Sequence, residues 1–301
     1  MLRSLLLTTL LLVASPAPAV VILDSTWAEE GGEADDPSAG FGAAIELAYR
    51  PAFRATVALS ADGGEYWSDC TGTWIGNDAR HGYVLTAAHC FVDGEDSVEP
   101  TDVLVRSTGG RVYRVVEGVI HDGYVDTDQT TGEDLAILVL HRPVQDAGPP
   151  PLLYGGGDEA GRILTFVGYG ARGIASIGEH EDYHDGGDQR AAAQGLVEVV
   201  KDEADDEDTG NYLGVFLPAE DGSIENPYGG DDYPVNRLVG LLGSGDSGGP
   251  AWMRIDGRWV VAGVNSNGTG NAEAGATSWF VRVSGQREWI ETHAPMARFH
   301  K

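Results

Sequence analysis

Apolar residues along this chain fall in short runs rather than long helical stripes. Ala55-Thr56-Val57-Ala58-Leu59 opens the series. Thr73-Trp74-Ile75, Tyr83-Val84-Leu85-Thr86, Val103-Leu104-Val105, Val112 to Val116 and Leu135 to Leu140 follow. After a Pro/Gly-rich linker, Asp146 to Pro151, a second series runs through Ile163 to Val167, Leu196 to Val200, Trp259 to Val264 and Phe280 to Val283. Short runs of this kind, closely spaced and separated by turn residues, predict an all-β chain of barrels or sandwiches. Only a turn after Thr86 and the segment Gln286 to Thr292 read as helix. Two acidic, non-periodic stretches, Gly178 to Asp188 and Lys201 to Gly210, read as solvated loops. Neither has the D-x-D-x-D-G spacing of a calcium loop, and no metal or other cofactor is expected.

Composition sharpens the picture at two points. The 43 glycines and 14 prolines supply the turns that short strands require. The 19 Lys and Arg residues face 47 Asp and Glu, a formal charge of −28. Nucleic acid and anionic membrane surfaces attract positive patches, so both are poor partners for this chain.

The N-terminus reads as a secretory signal over residues 1–19. Arg3 precedes an apolar run, Leu5 to Val13, too short to span a bilayer, and Ala17-Pro18-Ala19 offers small residues for cleavage before Val20. No membrane anchor is expected once it is removed. Residues 20–49 are acidic and Gly-rich and read as a mobile leader or a propeptide. Cys70 and Cys90 are the only cysteines, so a secreted chain has one intramolecular disulfide open to it.

Three segments carry candidate chemistry. Gly245-Asp246-Ser247-Gly248-Gly249-Pro250 places a serine on a glycine-rich turn, where successive N–H groups can converge on an anion. A serine hydroxyl is a weak nucleophile without a base beside it. Thr86-Ala87-Ala88-His89-Cys90 offers that base at the end of a strand. Asp134, entering the apolar run Leu135 to Leu140, needs a partner if buried, and an imidazole N–H is one. Taken singly, such a serine is more often part of a plain turn and such a histidine more often a surface or core residue, and Asp134 also reads as a strand-edge carboxylate.

Together they resemble the chymotrypsin/trypsin-like serine protease family. TAAHC, a variant of D-I-A-L, and GDSGGP occur in the family's order of His, Asp and Ser. Further segments resemble family motifs: Cys70-Thr71-Gly72-Thr73-Trp74-Ile75, His121-Asp122-Gly123-Tyr124, Val167-Gly168-Tyr169-Gly170, Gly263 to Gly268 and Trp289-Ile290. The likeness spans roughly residues 50–292 and is closest to secreted, bacterial-type members with a single disulfide. It implies two six-stranded antiparallel β-barrels, over 50–148 and 149–292, with a short C-terminal helix and a tail at 293–301. It implies a Cys70–Cys90 bridge, Ser247 as nucleophile, His89 as base, Asp134 as the residue orienting His89, and the Gly245 and Ser247 N–H groups as the oxyanion hole. The implied activity is secreted serine endopeptidase, with peptide or protein substrates and protein inhibitors as partners. A catalytically silent homologue acting as a binding module is the alternative. An esterase is disfavoured because Ser247 stands in a GDSGGP context rather than in the strand-to-helix nucleophile elbow of the α/β-hydrolases.

The chain departs from the family in three ways. Leu241, followed by Leu242, stands where a charged pocket base would select Arg or Lys, so the resemblance implies an apolar or small residue before the cleaved bond. Ser266, Gly268 and Ser278 are the expected pocket walls. No I-V-G-G sequence occurs to supply an activating N-terminus to Asp246. Val20 lies 37 residues before Val57, too far upstream for the usual spacing, which leaves three alternatives: another partner for Asp246, processing by a further protease, or a chain that is not a zymogen. Finally, 113 residues separate Asp134 from Ser247, an excess assigned to the acidic stretches and to Ile224 to Pro234.

Overall fold

A computed structural model describes residues 20–92, 97–124, 132–183, 189–201 and 210–300. The chain begins with a short strand, β1 (Val21–Ile22), and two helices, α1 (Asp24–Glu29) and α2 (Gly42–Ala48). Helix α2 buries Ala44, Leu47 and Ala48, residues at i, i+3 and i+4 that share one face. Pro51, just beyond its end, cannot continue the helix. Arg190 donates its Nε–H to the Ala48 carbonyl at 3.0 Å and ties the helix end to the second barrel.

Six strands follow: β2 (Thr56–Ser60), β3 (Cys70–Asn77), β4 (Gly82–Thr86), β5 (Leu104–Arg106), β6 (Val112–Ile120) and β7 (Ala136–Leu140). They close into an antiparallel barrel in the order β2-β3-β4-β7-β6-β5. Closure removes the exposed edges that a flat sheet would leave. Strand β6 begins with alternating exposed and buried residues, whereas every residue of β7 is buried.

The second half contains β8 (Leu152–Tyr154), β9 (Ile163–Gly168), β10 (Gly173–Ile174), β11 (Gly178–Glu179), β12 (Ala191–Lys201), β13 (Tyr212–Phe216), β14 (Gly240–Leu241), β15 (Pro250–Ile255), β16 (Arg258–Gly268) and β17 (Thr277–Arg282). Strands β15-β9-β12-β13-β17-β16 form a second antiparallel barrel, closed by the pairing of β15 with β16. The structure therefore has the two six-stranded barrels that the sequence resemblance implied. Helix α3 (Arg287–His293) follows, near its expected position, and buries Ile290. Among the described residues, no helix is long and apolar enough to cross a membrane.

Several elements differ from the sequence expectation. Residues 20–49 are not a mobile leader. Val20 to Leu23 are almost fully buried, and β1 lies between β10 and β14 in a four-stranded sheet that ends in β11. Val20-Val21-Ile22-Leu23 is a continuous apolar run and Ala44, Leu47 and Ala48 share one helical face, but the acidic, Gly-rich stretch between them carries no such pattern. The tail at 293–301 is also built in, because β18 (Phe299–His300) pairs with β8. Strands β13 and β15 were not expected. The first follows an acidic run and the second starts at Pro250 in a glycine-rich turn, so flanking residues masked both. Of the acidic stretches, β11 and the start of the next turn are ordered, while 184–188 and 202–209 lie outside the described residues.

Cys70 and Cys90 form a disulfide across 20 positions of sequence, joining β3 to the turn after β4. Removing it frees a loop of that length in the unfolded chain. The double substitution Cys70→Ser, Cys90→Ser is expected to lower the unfolding free energy by about 3 kcal/mol. Urea titration reads this, and an unchanged midpoint would contradict it.

Candidate active site

Three strand ends converge between the barrels. His89 stands on the turn leaving β4, closed by the Phe91 N–H on the Ala88 carbonyl at 2.9 Å. Asp134 lies two residues before β7 and is 1% exposed. Its Oδ1 accepts the His89 backbone N–H at 2.9 Å, and its Oδ2 is 2.8 Å from His89 Nδ1. Ser266 Oγ donates to the same Oδ2 at 2.5 Å. An ionised carboxylate only accepts, so Nδ1 must carry its proton and Nε2 of a neutral imidazole is left as the basic nitrogen. Burial by itself would raise the Asp134 pKa. The charge on His89 and the hydrogen bonds from His89 and Ser266 outweigh that and hold it below the ordinary carboxylate value.

Ser247 sits on the turn leading into β15, and the first barrel holds this turn in place. The Thr71 N–H donates to the Ser247 carbonyl at 2.8 Å, and Thr71 Oγ1 donates to the Gly245 carbonyl at 3.0 Å. Thr86 Oγ1 donates to the Thr71 carbonyl at 2.8 Å. Because Thr71 follows Cys70, and His89 precedes Cys90, the disulfide joins the residues that flank both sides of this junction. Cys90 Sγ is 3.9 Å from the Ser247 carbonyl oxygen. The His89 ring also lies within 4.8 Å of both sulfurs, but sulfurs in a disulfide have no thiolate to offer a metal. Among the described residues, neither the Gly245 nor the Ser247 N–H is donated to a protein acceptor.

A cavity of about 190 Å³ opens beside Ser247. Leu242, Ser266, Gly268 and Ser278 line it, together with Ser244 and Glu179. Ser278 Oγ accepts the Leu242 N–H at 3.1 Å, which joins two of these walls. Leu241 lies outside the lining. It pairs with Val21 in the four-stranded sheet and is buried in the second-barrel core. Sequence reasoning missed the contact of Ser266 with Asp134, the clamp at Thr71 and the presence of Glu179. Thr71 lay inside a quoted motif, but nothing local in Gly178-Glu179 pointed to this cavity.

The trypsin family model matches residues 45–180, a span that includes His89 and Asp134 and ends before Ser247. The chain is similar to a trypsin of Phaedon cochleariae, 28% identical over 220 residues, covering 69% of this chain and 73% of that protein. It is also similar to serine protease 56 of Mus musculus, 28% identical over 222 residues, covering 69% of this chain and 32% of the mouse protein.

A second buried carboxylate lies beside Ser247. Asp246 has no exposure. Its Oδ2 accepts the Gly243 N–H at 2.9 Å and the Val20 nitrogen at 3.1 Å, and its Oδ1 accepts the Gly170 N–H at 3.0 Å. Val20 therefore reaches Asp246, contrary to the expectation from spacing, because the extra residues fold into α1 and α2 instead of lengthening the approach. The glycines of Val167-Gly168-Tyr169-Gly170 make room: a Cβ on Gly168 would stand 2.1 Å from Asp246 Oδ1, and one on Gly170 2.3 Å from its nitrogen. Val20 itself has φ +61°, a region where a β-branched residue with an intact preceding peptide is strained.

Burial raises the Asp246 pKa from 3.8 to about 7, despite the hydrogen bonds from Gly243, Gly170 and Val20. The fold thus disfavours the ionised form while the Val20 nitrogen is an ordinary amide. For such a chain, stability is greatest below the ordinary carboxylate pKa and falls as pH rises toward 7. An α-ammonium at Val20 would favour the ionised form and remove that loss. Urea unfolding from pH 4 to 7 is expected to show the decline in a chain extended before Val20 and not in one that begins there. Identical pH profiles would contradict it.

Proposed function

We propose that this chain is a secreted serine endopeptidase that cleaves peptide bonds through an acyl-enzyme. The observation that carries the reading is the hydrogen-bonded set Ser266–Asp134–His89 at the strand ends beside Ser247. His89 Nε2 takes the proton of Ser247 Oγ as the oxygen attacks the scissile carbonyl. Asp134 keeps His89 in the tautomer that can do so and stabilises the imidazolium that forms. The Gly245 and Ser247 N–H groups receive the developing oxyanion. When the carbon–nitrogen bond breaks, His89 returns the proton to the leaving amine. Water then attacks the acyl-enzyme, with His89 again accepting the proton, and the released acid restores Ser247.

Peptides and proteins are the substrates of this reading, and protein inhibitors would occupy the same cleft. Leu242, Ser266, Gly268 and Ser278 in the cavity wall, with the Glu179 carboxylate engaged by Ser244, support an apolar or small residue before the cleaved bond. Removal of residues 1–19 would leave Val20 with a free amine, and its burial against Asp246 supports Val20 as the mature N-terminus.

A fluorophosphonate probe is expected to label the chain beginning at Val20, and Ser247→Ala to abolish labelling. Asp134→Asn is expected to lower kcat by a factor on the order of 10³ to 10⁴, because the amide favours the wrong histidine tautomer. A folded wild type that takes no label would point to the silent binding module instead. Peptide-library profiling is expected to favour apolar or small residues over Arg and Lys by about tenfold or more. A preference for basic residues would overturn the pocket assignment.

A further inference from the structure

We propose that Glu179 is a positioning residue that sets the orientation of the Ser244–Gly245 peptide, and with it the Gly245 N–H of the oxyanion hole. The proposal rests on the reading of Ser247, His89 and Asp134 given above. Glu179 ends β11, far in sequence from the Ser247 turn, yet its carboxylate meets Ser244 with both oxygens. Oε2 accepts the Ser244 backbone N–H at 2.8 Å, and Oε1 accepts the Ser244 hydroxyl at 2.8 Å. The main chain of Glu179 is itself held. Its N–H donates to the Asn271 carbonyl at 3.0 Å, and its carbonyl accepts Asn271 Nδ2 at 3.0 Å.

The next peptide unit is held from the opposite side. The Ser244 carbonyl accepts the Ala171 N–H at 2.6 Å. In a trans peptide the C=O and N–H of one unit point in opposite directions. With the Ser244 carbonyl turned to Ala171, the Gly245 N–H must point away from it. Gly245 cannot set this orientation by itself. It has φ +89°, and a glycine tolerates either sign of φ, so the peptide before it can turn over at little local cost. Turning it over would put a carbonyl where the oxyanion donor belongs. Fixing Ser244 at both its N–H and its hydroxyl removes the freedom that such a rotation uses. Hydrogen bonds to an ionised carboxylate are stronger than neutral ones, which suits the group to this task.

A carboxylate near a developing oxyanion is electrostatically unfavourable, so geometry and charge predict opposite results for the conservative substitution. In Glu179→Gln, the amide oxygen can accept the Ser244 N–H and the amide nitrogen can donate to the Ser244 hydroxyl. This keeps the clamp and removes the charge. Glu179→Ala removes both.

The test compares wild type, Glu179→Ala, Glu179→Gln and Ser244→Ala. Each is assayed on one peptide substrate with an uncharged residue before the cleaved bond, and for inhibition by a peptide boronic acid that forms a tetrahedral adduct at serine. Glu179→Ala is expected to lower kcat and boronate affinity by about tenfold or more while KM changes less than about threefold. Glu179→Gln should stay within about threefold of wild type in both. Ser244→Ala, which loses one of the two bonds, should show a smaller loss and remains informative if Glu179→Ala fails to fold. An unchanged kcat in Glu179→Ala or in Ser244→Ala overturns the proposal. So does an equal loss in Glu179→Ala and Glu179→Gln, which would show that the hydrogen-bonding shape kept by the amide does not set the geometry, or a rise in kcat in both, which would assign the effect to charge, or a rise in KM alone, which would make Glu179 only a cavity wall. A wild type that neither cleaves peptides nor takes a fluorophosphonate defeats the endopeptidase reading. An active wild type with an equally active Glu179→Ala defeats only the role of Glu179.

Discussion

The Asp246 carboxylate lies wholly out of water, and the site around it depends on how that is tolerated. A buried carboxylate left unpaired costs several kcal/mol, so each of its oxygens must find donors. The donors here come from three separate parts of the chain: the Val20 nitrogen, the Gly170 N–H and the Gly243 N–H. Satisfying one side chain therefore brings together the first described residue, the glycine loop after β9 and the turn that carries Ser247. The strand β1 continues this by pairing with β10 on one side and β14 on the other. Both neighbours lead directly to the cavity, β14 to Leu242 and β10 to β11 and Glu179.

The two halves of the site are joined by a second set of contacts, centred on Thr71. Its N–H, hydroxyl and carbonyl bond, respectively, to Ser247, Gly245 and Thr86. A strand of the first barrel thereby fixes the backbone of a turn that belongs to the second. The buried core runs across the same junction, with Val57 and Val84 of the first barrel in one cluster with Trp252 and Val264 of the second. Residues carried at strand ends of closed barrels have little freedom to move, which suits a site whose chemistry needs atoms placed to a fraction of an ångström.

Asp134 and Asp246 show how partners decide the charge of buried acids. Both are almost fully removed from water, and burial pushes both toward the neutral form. At Asp134 a histidine that can carry charge and a serine hydroxyl reverse the trend. At Asp246 the partners are backbone N–H groups, and they do not. A free amine at Val20 would bring Asp246 into the same condition as Asp134, by placing a positive charge against it.

Most of the strands, the C-terminal helix and the segments bearing His89, Asp134 and Ser247 were legible in the sequence. The pattern of apolar runs reports which residues face a core, and this is a local property. With only Cys70 and Cys90 present, a single intramolecular pairing was open to the chain, and it is the one that forms. The route by which distant segments meet was not legible. Counting residues from Val20 to Val57 placed Val20 out of reach of Asp246, because a count records contour length and not the helices that take up the slack. Glu179 and Leu241 were misjudged or overlooked for a related reason. A side chain's alignment position does not say which way its strand turns: β14 takes its direction from β1, far earlier in the chain, and β11 takes its direction from β10, which pairs with β1 on its other side. Sequence alone determined what each segment can become. Only the tertiary structure decided which segments share a buried charge, since that choice is made by hydrogen bonds between residues with no local relation to one another.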